Sequence, residues 1–312
     1  MLSVGVLAGC GGSGNSVGQA SETSAGGAIP TPAPGTEPCG TVSSTTYSHV
    51  IWILMENKSY GSVIGSGSAP YETALAQQCA TAAHWNDAGG QYNSLPNYIA
   101  LTTGIPTGDS RLVPFSCDCA PASSVNVTVD NLFRQVRTAG LTEKSYAEGM
   151  SRNCSNSGAA YAPKHNPALY MWGGSDRQAC RADDVPMGSN SSGAFIDDLR
   201  AGRLPNFSFI APNLCNDTHD CGVATGDVYL KTLMGNILAS SLYRHGHTAV
   251  VVVWDEDTPV PNIVVSPSVR PGTVVGSTVS HYSLLRATED IFGLPRLLSA
   301  ADAPDLRAPT GL

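Results

Sequence analysis

Two apolar runs decide the fold: Thr248-Ala249-Val250-Val251-Val252-Val253-Trp254 and, much earlier in the chain, Val50-Ile51-Trp52-Ile53-Leu54-Met55. Neither run alternates with polar residues. Both therefore predict strands with two buried faces, as in a parallel sheet that is covered by helices. Shorter apolar runs at 206–210 and 263–265 predict two further strands.

Helical patterns lie between and after these strands. Residues 226–244 and 282–292 carry apolar side chains near helical spacing, and Gly293 and Pro295 are suited to end the second of these helices. Thr128 is suited to cap another helix, which ends before Gly140. Strands that alternate with helices predict an α/β protein. The sequence shows no internal repeat and no sign of a second domain.

The composition excludes several classes of protein. The chain has 312 residues, a net charge of −8 and only four lysines, which argues against binding to nucleic acid. No stretch of about 18 apolar residues is present, so a polytopic membrane protein is excluded. A charged fraction of 13%, with 33 glycines and 21 prolines, indicates a loop-rich domain outside the cytoplasm.

The first residues also indicate export. Leu7-Ala8-Gly9-Cys10 is similar to the lipobox of bacterial lipoproteins, in which the cysteine becomes the lipid-modified N-terminus. The alternative is an ordinary signal remnant, because the apolar run before Cys10 is short and no basic residue precedes it. We therefore predict a lipoprotein-type signal remnant at 1–10, a flexible tether at 11–40 and one folded domain at 41–312. The expected location is a membrane anchor in the periplasm or on the cell surface, or otherwise secretion.

Cysteine usage supports the same compartment. Once Cys10 is set aside, eight cysteines remain, and an even number in an exported chain predicts disulfides. Cys215 and Cys221 are expected to pair and close a short loop, whereas Cys117 and Cys119 are too close in sequence to pair easily with each other. The other pairings stay open. The absence of a Cys-x-x-Cys pair disfavours a zinc site.

Acidic and amide side chains follow the two long strands. The first strand ends in Glu56-Asn57 and the valine-rich strand ends in Asp255-Glu256. Ligands of α/β sheets bind at the carboxyl ends of the strands, where these acids would repel one another unless a cation or an arginine lay between them. Oxygen ligands of this kind favour a divalent metal cation, with Ca, Mg or Mn preferred over Zn. The alternative is that each acid is a solvated loop residue.

A third element contains a serine at the start of a predicted helix. Ser94 is suited to cap the helix, Pro96 is tolerated in the first turn, and Gly104 is suited to end it. A serine in this position faces free N–H groups and the positive end of the helix dipole, which stabilise an anion or an alkoxide. The alternative is that Ser94 only caps the helix.

Together these segments resemble a known family. Residues 48–298 carry, in order, motifs of the bacterial phosphoesterase family of acid phosphatases and phospholipases C, which belongs to the alkaline phosphatase superfamily. The motifs are Met55-Glu56-Asn57, 94–104, Lys164-His165-Asn166-Pro167, 205–213, 254–257 and 280–285. The resemblance implies an alkaline-phosphatase-like, three-layer α/β/α sandwich around a largely parallel sheet.

The resemblance also implies a mechanism. Ser94 matches the nucleophile, and Glu56, Asn57, Asp255 and Glu256 match the ligands of the metal that activates it. The serine would attack phosphorus, and water would then cleave the phosphoserine.

The resemblance further implies that histidines take part in a second group of catalytic residues. His219 and His281 are expected to bind phosphate or to act as general acids. Asp217 is expected to orient one of them. His165 is expected either to contact the phosphate or to anchor a loop.

The resulting hypothesis is an exported, metal-dependent phosphoric ester hydrolase that is similar to acid phosphatases. The alternatives are a phospholipase C or other phosphodiesterase, and a binding lipoprotein without activity. The chain ends soon after the last predicted helix, without the extra domain expected of larger phospholipases C, which favours a phosphatase. The expected partners are a phosphate ester and, through Cys10 alone, a membrane; the oligomeric state stays open.

Overall fold

The protein is described here by a computed structural model that covers residues 1, 37–43, 45–88 and 93–312. The predicted lipidation site Cys10 and residues 11–36 of the predicted tether lie outside the described residues. The strands are β1 (His49–Met55), β2 (Ala80–Ala82), β3 (Trp85–Asn86), β4 (Glu143–Ala147), β5 (Asp184–Pro186), β6 (Phe207–Ala211), β7 (Thr248–Trp254), β8 (Asn262–Val265), β9 (Thr273–Val275) and β10 (Val279–Ser280).

Helices connect the strands and cover the sheet. The α-helices are α1 (Tyr60–Val63), α2 (Pro70–Gln78), α3 (Ser94–Thr103), α4 (Leu132–Thr138), α5 (Asp176–Asp183), α6 (Ala194–Arg200), α7 (Val223–Ala239), α8 (Ser241–Arg244), α9 (His281–Phe292) and α10 (Arg307–Thr310). Short 3₁₀ helices lie at Ser110–Phe115, Pro163–His165, Pro167–Tyr170 and Leu298–Ala300. Within the described residues, no helix is both long and apolar enough to span a membrane.

The two long apolar runs form the centre of an eight-stranded sheet with the order β5-β4-β6-β1-β7-β8-β2-β9. The strands from β5 to β7 are parallel, and β1 pairs with β7 so that Met55 lies opposite Trp254. β8 turns antiparallel to β7. The prediction of a largely parallel sheet is confirmed, and the parallel order brings the carboxyl ends of β1, β6 and β7 to one edge.

Helices cover both faces of the sheet. On one face, Trp52 Nε1 donates a hydrogen bond to Thr288 of α9 at 3.0 Å. Met55, three residues further along β1, points to the opposite face, since the side chains of a strand alternate. There a Cβ added to Gly226 of α7 would lie 3.1 Å from the Met55 methyl group. The three-layer α/β/α architecture follows from these two contacts.

Two predicted helix boundaries are wrong. Thr128 does not cap α4; Asn131 does so by accepting a hydrogen bond from the Arg134 N–H at 3.0 Å. The predicted helix 226–244 starts earlier and divides into α7 and α8 at Ser240. The Ser240 side chain accepts from the Tyr243 N–H at 3.2 Å, so it caps the second helix.

Disulfides link the loops around the sheet. The described cysteines pair as Cys39–Cys79, Cys117–Cys119, Cys154–Cys180 and Cys215–Cys221. The expected Cys215–Cys221 pair is confirmed, with 4.7 Å between the Cα atoms.

The prediction for Cys117 and Cys119 is wrong. Asp118 between them has a φ of +51°, and this left-handed turn brings the two Cα atoms to 5.1 Å. Near the predicted start of the folded domain, Cys39 is buried and bonded to Cys79.

Candidate active site

The acids that follow β1, β6 and β7 meet at the carboxyl edge of the sheet. The Glu56 N–H donates to the Asp217 carbonyl at 2.8 Å, and the Asp255 N–H donates to the Met55 carbonyl at 3.0 Å. The Asp255–Met55 bond continues the register of β7 on β1, whereas the Glu56–Asp217 bond ties the loop after β6 to the end of β1. They hold Glu56, Asp217 and Asp255 side by side, and all three side chains are buried.

Clustering and burial perturb the acids. Burial, followed by the nearby charges of Asp255 and Asp217, holds the pKa of Glu56 well above its ordinary value. Burial likewise raises the pKa of Asp255 and the pKa of Asp217 to about 7 each. Three carboxyl groups with raised pKa values indicate a site that is short of positive charge.

Ser94 projects into this cluster from the first turn of α3. Its hydroxyl donates to Glu56 Oε2 at 3.1 Å, and the residue is 1% exposed. The predicted cap was one residue late, because Asn93 occupies the cap position and Ser94 is the first residue of the helix. This shift frees the Ser94 hydroxyl from capping and directs it at the carboxylates. Gly104 ends the helix in the left-handed conformation, as predicted.

Tyr98 was missed by the sequence reasoning. Its hydroxyl donates to Glu56 Oε1, and its ring stacks on His165 with 5.5 Å between ring centroids. Residues four apart on a helix share a face, so Ser94 and Tyr98 reach the same carboxylate. The four-residue spacing between Ser94 and Tyr98 on a predicted helix could have indicated that both side chains face the site.

Two buried oxygen atoms at the site have no hydrogen-bond partner: Asn57 Oδ1 and Asp255 Oδ2. Asn57 has a φ of +47°, and its N–H donates to Asp255 Oδ1 at 3.2 Å. Buried polar atoms are nearly always partnered, so unpartnered ones call for an explanation. Both oxygen atoms suit a hard divalent cation.

Glu256 lies at the outer edge of the cluster and is half-buried. Burial, with the charges of Asp255 and Asp257, raises its pKa to about 8, whereas Lys164 acts in the opposite direction. Glu256 is therefore close to the predicted cluster, but water reaches it more readily than it reaches Glu56 or Asp255.

His165 lies between two of the buried acids. Its Nδ1 is 3.1 Å from Asp217 Oδ2, and its Nε2 is 3.2 Å from Glu56 Oε1 without hydrogen-bond geometry. Burial, with the nearby Lys164 and His219, holds the pKa of His165 well below its ordinary value. This shift favours the neutral form of the ring, which bonds to Asp217 and lies beside Glu56 without bonding to it. Asp217 orients this histidine through its side chain.

His219 lies at the rim. Its backbone N–H donates to Asp217 Oδ1 at 2.8 Å, and its ring pairs with Asp220 at 2.7 Å. The ring centroid is 5.5 Å from that of His165, and Lys164 Nζ is 3.5 Å from Nε2. Unlike His165, this side chain is partly exposed, so an incoming ligand can reach it.

The structure gives His281 a different role from the predicted one. Its Nε2 is 2.8 Å from the Asp255 carbonyl, and its Nδ1 accepts a hydrogen bond from Trp85 Nε1 at 3.1 Å. Burial lowers the pKa of the ring. Since the indole N–H requires an unprotonated Nδ1, the proton lies on Nε2 and is donated to the carbonyl. Both nitrogens are therefore engaged in holding the end of β7, and neither is available to a phosphate.

Two charged residues near the start of α3, Asp118 and Lys164, were also missed as site residues. Asp118 Oδ1 accepts from the Leu95 N–H at 3.0 Å, and Asp118 Oδ2 pairs with Lys164 Nζ at 3.2 Å. Lys164 lies in the Lys164-His165-Asn166-Pro167 motif, which was the available signal for that residue. Asp118 carried no signal in the sequence, because 23 residues separate it from the N–H that it caps.

Comparisons with known proteins agree with this geometry. The Phosphoesterase family profile matches residues 66–295. A phosphatidylinositol-3-phosphatase of Mycobacterium tuberculosis is 31% identical over 84% of this chain and 82% of its own length. A probable acid phosphatase of Kluyveromyces lactis is 25% identical over 82% of this chain, which spans 61% of that relative.

A solved structure supports the fold. A protein in the alkaline phosphatase superfamily from Vibrio parahaemolyticus superposes with a TM-score of 0.55 at 13% identity, covering 88% of this chain and 74% of that protein. At that identity the likeness concerns the fold alone. The family profile and the mycobacterial relative carry the assignment: this chain belongs to the phosphoesterase family and is a hydrolase that acts on phosphoric esters.

Proposed function

We propose that this chain is an exported, metal-dependent phosphatase, similar to acid phosphatases, that forms a phosphoserine at Ser94. The observation that carries the proposal is the position of the Ser94 hydroxyl. It lies in the first turn of a ten-residue helix and donates to a buried carboxylate at 3.1 Å. A hydroxyl in this position can attack phosphorus while the helix N-terminus stabilises the negative charge that develops.

The donor set fits a hard divalent cation. Glu56, Asn57 and Asp255 would hold it, with Glu256 at its outer side, and the unpartnered oxygens of Asn57 and Asp255 support this choice. All of these donors are oxygen atoms, which suit Ca, Mg or Mn better than Zn. A bound divalent cation would neutralise the clustered carboxylates and lower the pKa of a coordinated hydroxyl.

The side chains divide the reaction between them. Glu56 orients the Ser94 hydroxyl and accepts its proton while the Ser94 oxygen attacks phosphorus and the ester P–O bond breaks. His219, which is partly exposed, donates a proton to the departing alcohol. In the second step His219 takes a proton from a water molecule that attacks phosphorus, the bond between phosphorus and the Ser94 oxygen breaks, and Glu56 returns the proton to Ser94 as inorganic phosphate leaves. Tyr98 and Asp217 keep His165 and Glu56 in place through the contacts described above.

Monoesters are the favoured substrates. The two relatives named above are a phosphatidylinositol-3-phosphatase and a probable acid phosphatase, and phosphatases release phosphate from monoesters. The paired cysteines support export, because disulfides persist in oxidising compartments. Lipidation at Cys10 is the proposed means of attachment to the membrane.

A substrate and metal panel tests the proposal. We expect metal-free protein to regain hydrolysis of para-nitrophenyl phosphate with Mg²⁺, Ca²⁺ or Mn²⁺, and to be slower on para-nitrophenyl phosphorylcholine and on phosphatidylcholine. Equal or faster hydrolysis of the two diesters would contradict the preference for monoesters. Full activity in protein that elemental analysis finds free of metal would contradict the metal dependence.

A further inference from the structure

The carboxylate of Asp118 occupies a position at the active site that is suited to a phosphate. One oxygen accepts from the Leu95 N–H at 3.0 Å, and the other lies 3.2 Å from the Lys164 ammonium group. Leu95 directly follows Ser94, so its N–H is the helix donor beside the reacting hydroxyl. An anion is therefore already bound to one backbone donor and one cation next to the nucleophile.

A phosphoryl group on Ser94 needs the same kinds of partner. A phosphate at a helix N-terminus is bound by the free N–H groups of the first turn, and a lysine stabilises its charge as a point cation. Pro96 has no N–H, which leaves fewer donors in the first turn of α3 and makes the Leu95 N–H more important. The unpartnered Asp255 Oδ2 is the oxygen that suits the proposed cation, and a phosphate on Ser94 would lie between that cation and the Leu95 N–H.

The loop that carries Asp118 is held in place. Asn93 Nδ2 donates to the Ser116 carbonyl at 3.0 Å, and the Tyr170 hydroxyl donates to the Cys119 carbonyl at 2.9 Å. The Cys117–Cys119 disulfide closes the turn around Asp118. The backbone is thus fixed, whereas 17% of the Asp118 side chain is exposed to solvent.

We infer that Asp118 is an internal competitor of the substrate, a carboxylate that occupies Leu95 N–H and Lys164 until a phosphate monoester displaces it. This inference rests on the proposed function of Ser94 and adds a residue that sets the affinity of the site for phosphate. Displacement costs the ion pair and one charge-assisted hydrogen bond, and a dianionic phosphate can replace both. Asp118 thereby lowers the affinity for inorganic phosphate, the product, as well as for substrate.

The Asp118→Asn substitution distinguishes the effect of the negative charge of Asp118 from its effect as a helix cap. The amide keeps an oxygen for the Leu95 N–H but loses the ion pair with Lys164. With protein saturated with its divalent cation, we expect the inhibition constant of inorganic phosphate and the KM for para-nitrophenyl phosphate to fall about tenfold, equivalent to about 1.4 kcal/mol. The kcat should stay within about threefold of wild type, because Asp118 does not touch Ser94 in this scheme.

Asp109→Asn is the matched control. Asp109 also caps a backbone N–H, that of Arg111 at 2.8 Å, and pairs with the same arginine at 2.7 Å. The Asp109→Asn substitution changes the net charge by the same amount as Asp118→Asn. It should leave the inhibition constant of inorganic phosphate and the KM unchanged. Lys164→Gln should raise both constants, and adding Asp118→Asn to it should have little further effect, because the released ammonium group is then missing.

Calorimetric titration of inorganic phosphate into Ser94→Ala variants, with and without Asp118→Asn, gives a readout that needs no turnover. Phosphate binding that is about tenfold tighter with Asp118→Asn supports the inference. Equal binding, or a loss of kcat without tighter binding, would overturn it and leave Asp118 as a helix cap. No phosphate binding to any variant would instead contradict the proposed function. If Asp118→Asn fails to fold, weaker phosphate binding by Lys164→Gln is still required, and unchanged binding would refute the role of the pair.

Discussion

Replacing Ser94 by alanine should abolish turnover while leaving the fold intact. The hydroxyl makes one buried hydrogen bond, to Glu56 at 3.1 Å, and a hydrogen bond to a charged group contributes about 1.5–3 kcal/mol. Glu56 keeps its bond from Tyr98, and alanine favours a helix over serine by about 0.5 kcal/mol. We therefore expect a stability loss of about 1–2 kcal/mol, which a domain of this size tolerates.

The catalytic loss should be far larger. Removing the nucleophile of a covalent hydrolase lowers kcat by up to about 10⁶-fold, and we expect at least about 10⁴-fold here. The assay is hydrolysis of para-nitrophenyl phosphate with saturating divalent cation, alongside thermal unfolding. Ser240→Ala is the control, because it removes the cap of α8 at a cost of about 1 kcal/mol and should leave turnover unchanged. A folded Ser94→Ala protein that keeps more than a few per cent of the wild-type rate would refute the role of Ser94.

Three further predictions follow from the same structure. Asp255→Asn should weaken metal binding, so a titration with divalent cation should partly restore its activity but not that of Ser94→Ala; a variant that excess cation never helps would contradict this. Glu72 is buried beside Asp227, and burial raises its pKa to about 9; its contribution to stability is complete below pH about 4.5 and is lost as pH rises towards 9, at about 1.4 kcal/mol per unit. Glu72→Gln should therefore become more stable relative to wild type in thermal melts between pH 5 and 9, and a difference that does not vary with pH would contradict the assignment. Mass spectrometry of unreduced protein should find two hydrogens fewer per disulfide, including Cys117–Cys119; freely alkylated thiols would contradict the pairing.

The centre of the fold could be predicted because an unbroken apolar run of six or seven residues is typical of a strand that is buried on both faces. The valine run of β7 and the apolar run of β1 pair in parallel, and this pairing alone brings Glu56 and Asp255 to the same edge. The acidic cluster was therefore predictable as a consequence of strand direction, without knowledge of any loop.

Other parts of the site depend on contacts that local sequence does not specify. Asn93 and Ser94 are both good capping residues, and the bond to Glu56 decides between them. His281 was expected at the phosphate because of the family resemblance, yet the indole of Trp85 and the Asp255 carbonyl occupy its nitrogens. Asp118 reaches α3 only through a turn with positive φ. Each of these outcomes is set by tertiary packing.

Trapping the intermediate tests the central claim most directly. Wild-type protein is mixed with substrate, quenched in acid at successive times, digested and examined by mass spectrometry. A covalent mechanism predicts that the peptide containing Ser94 gains the mass of one phosphoryl group during turnover, and that Ser94→Ala never does. Steady release of inorganic phosphate with no phosphoryl group on Ser94 at any quench time would contradict it.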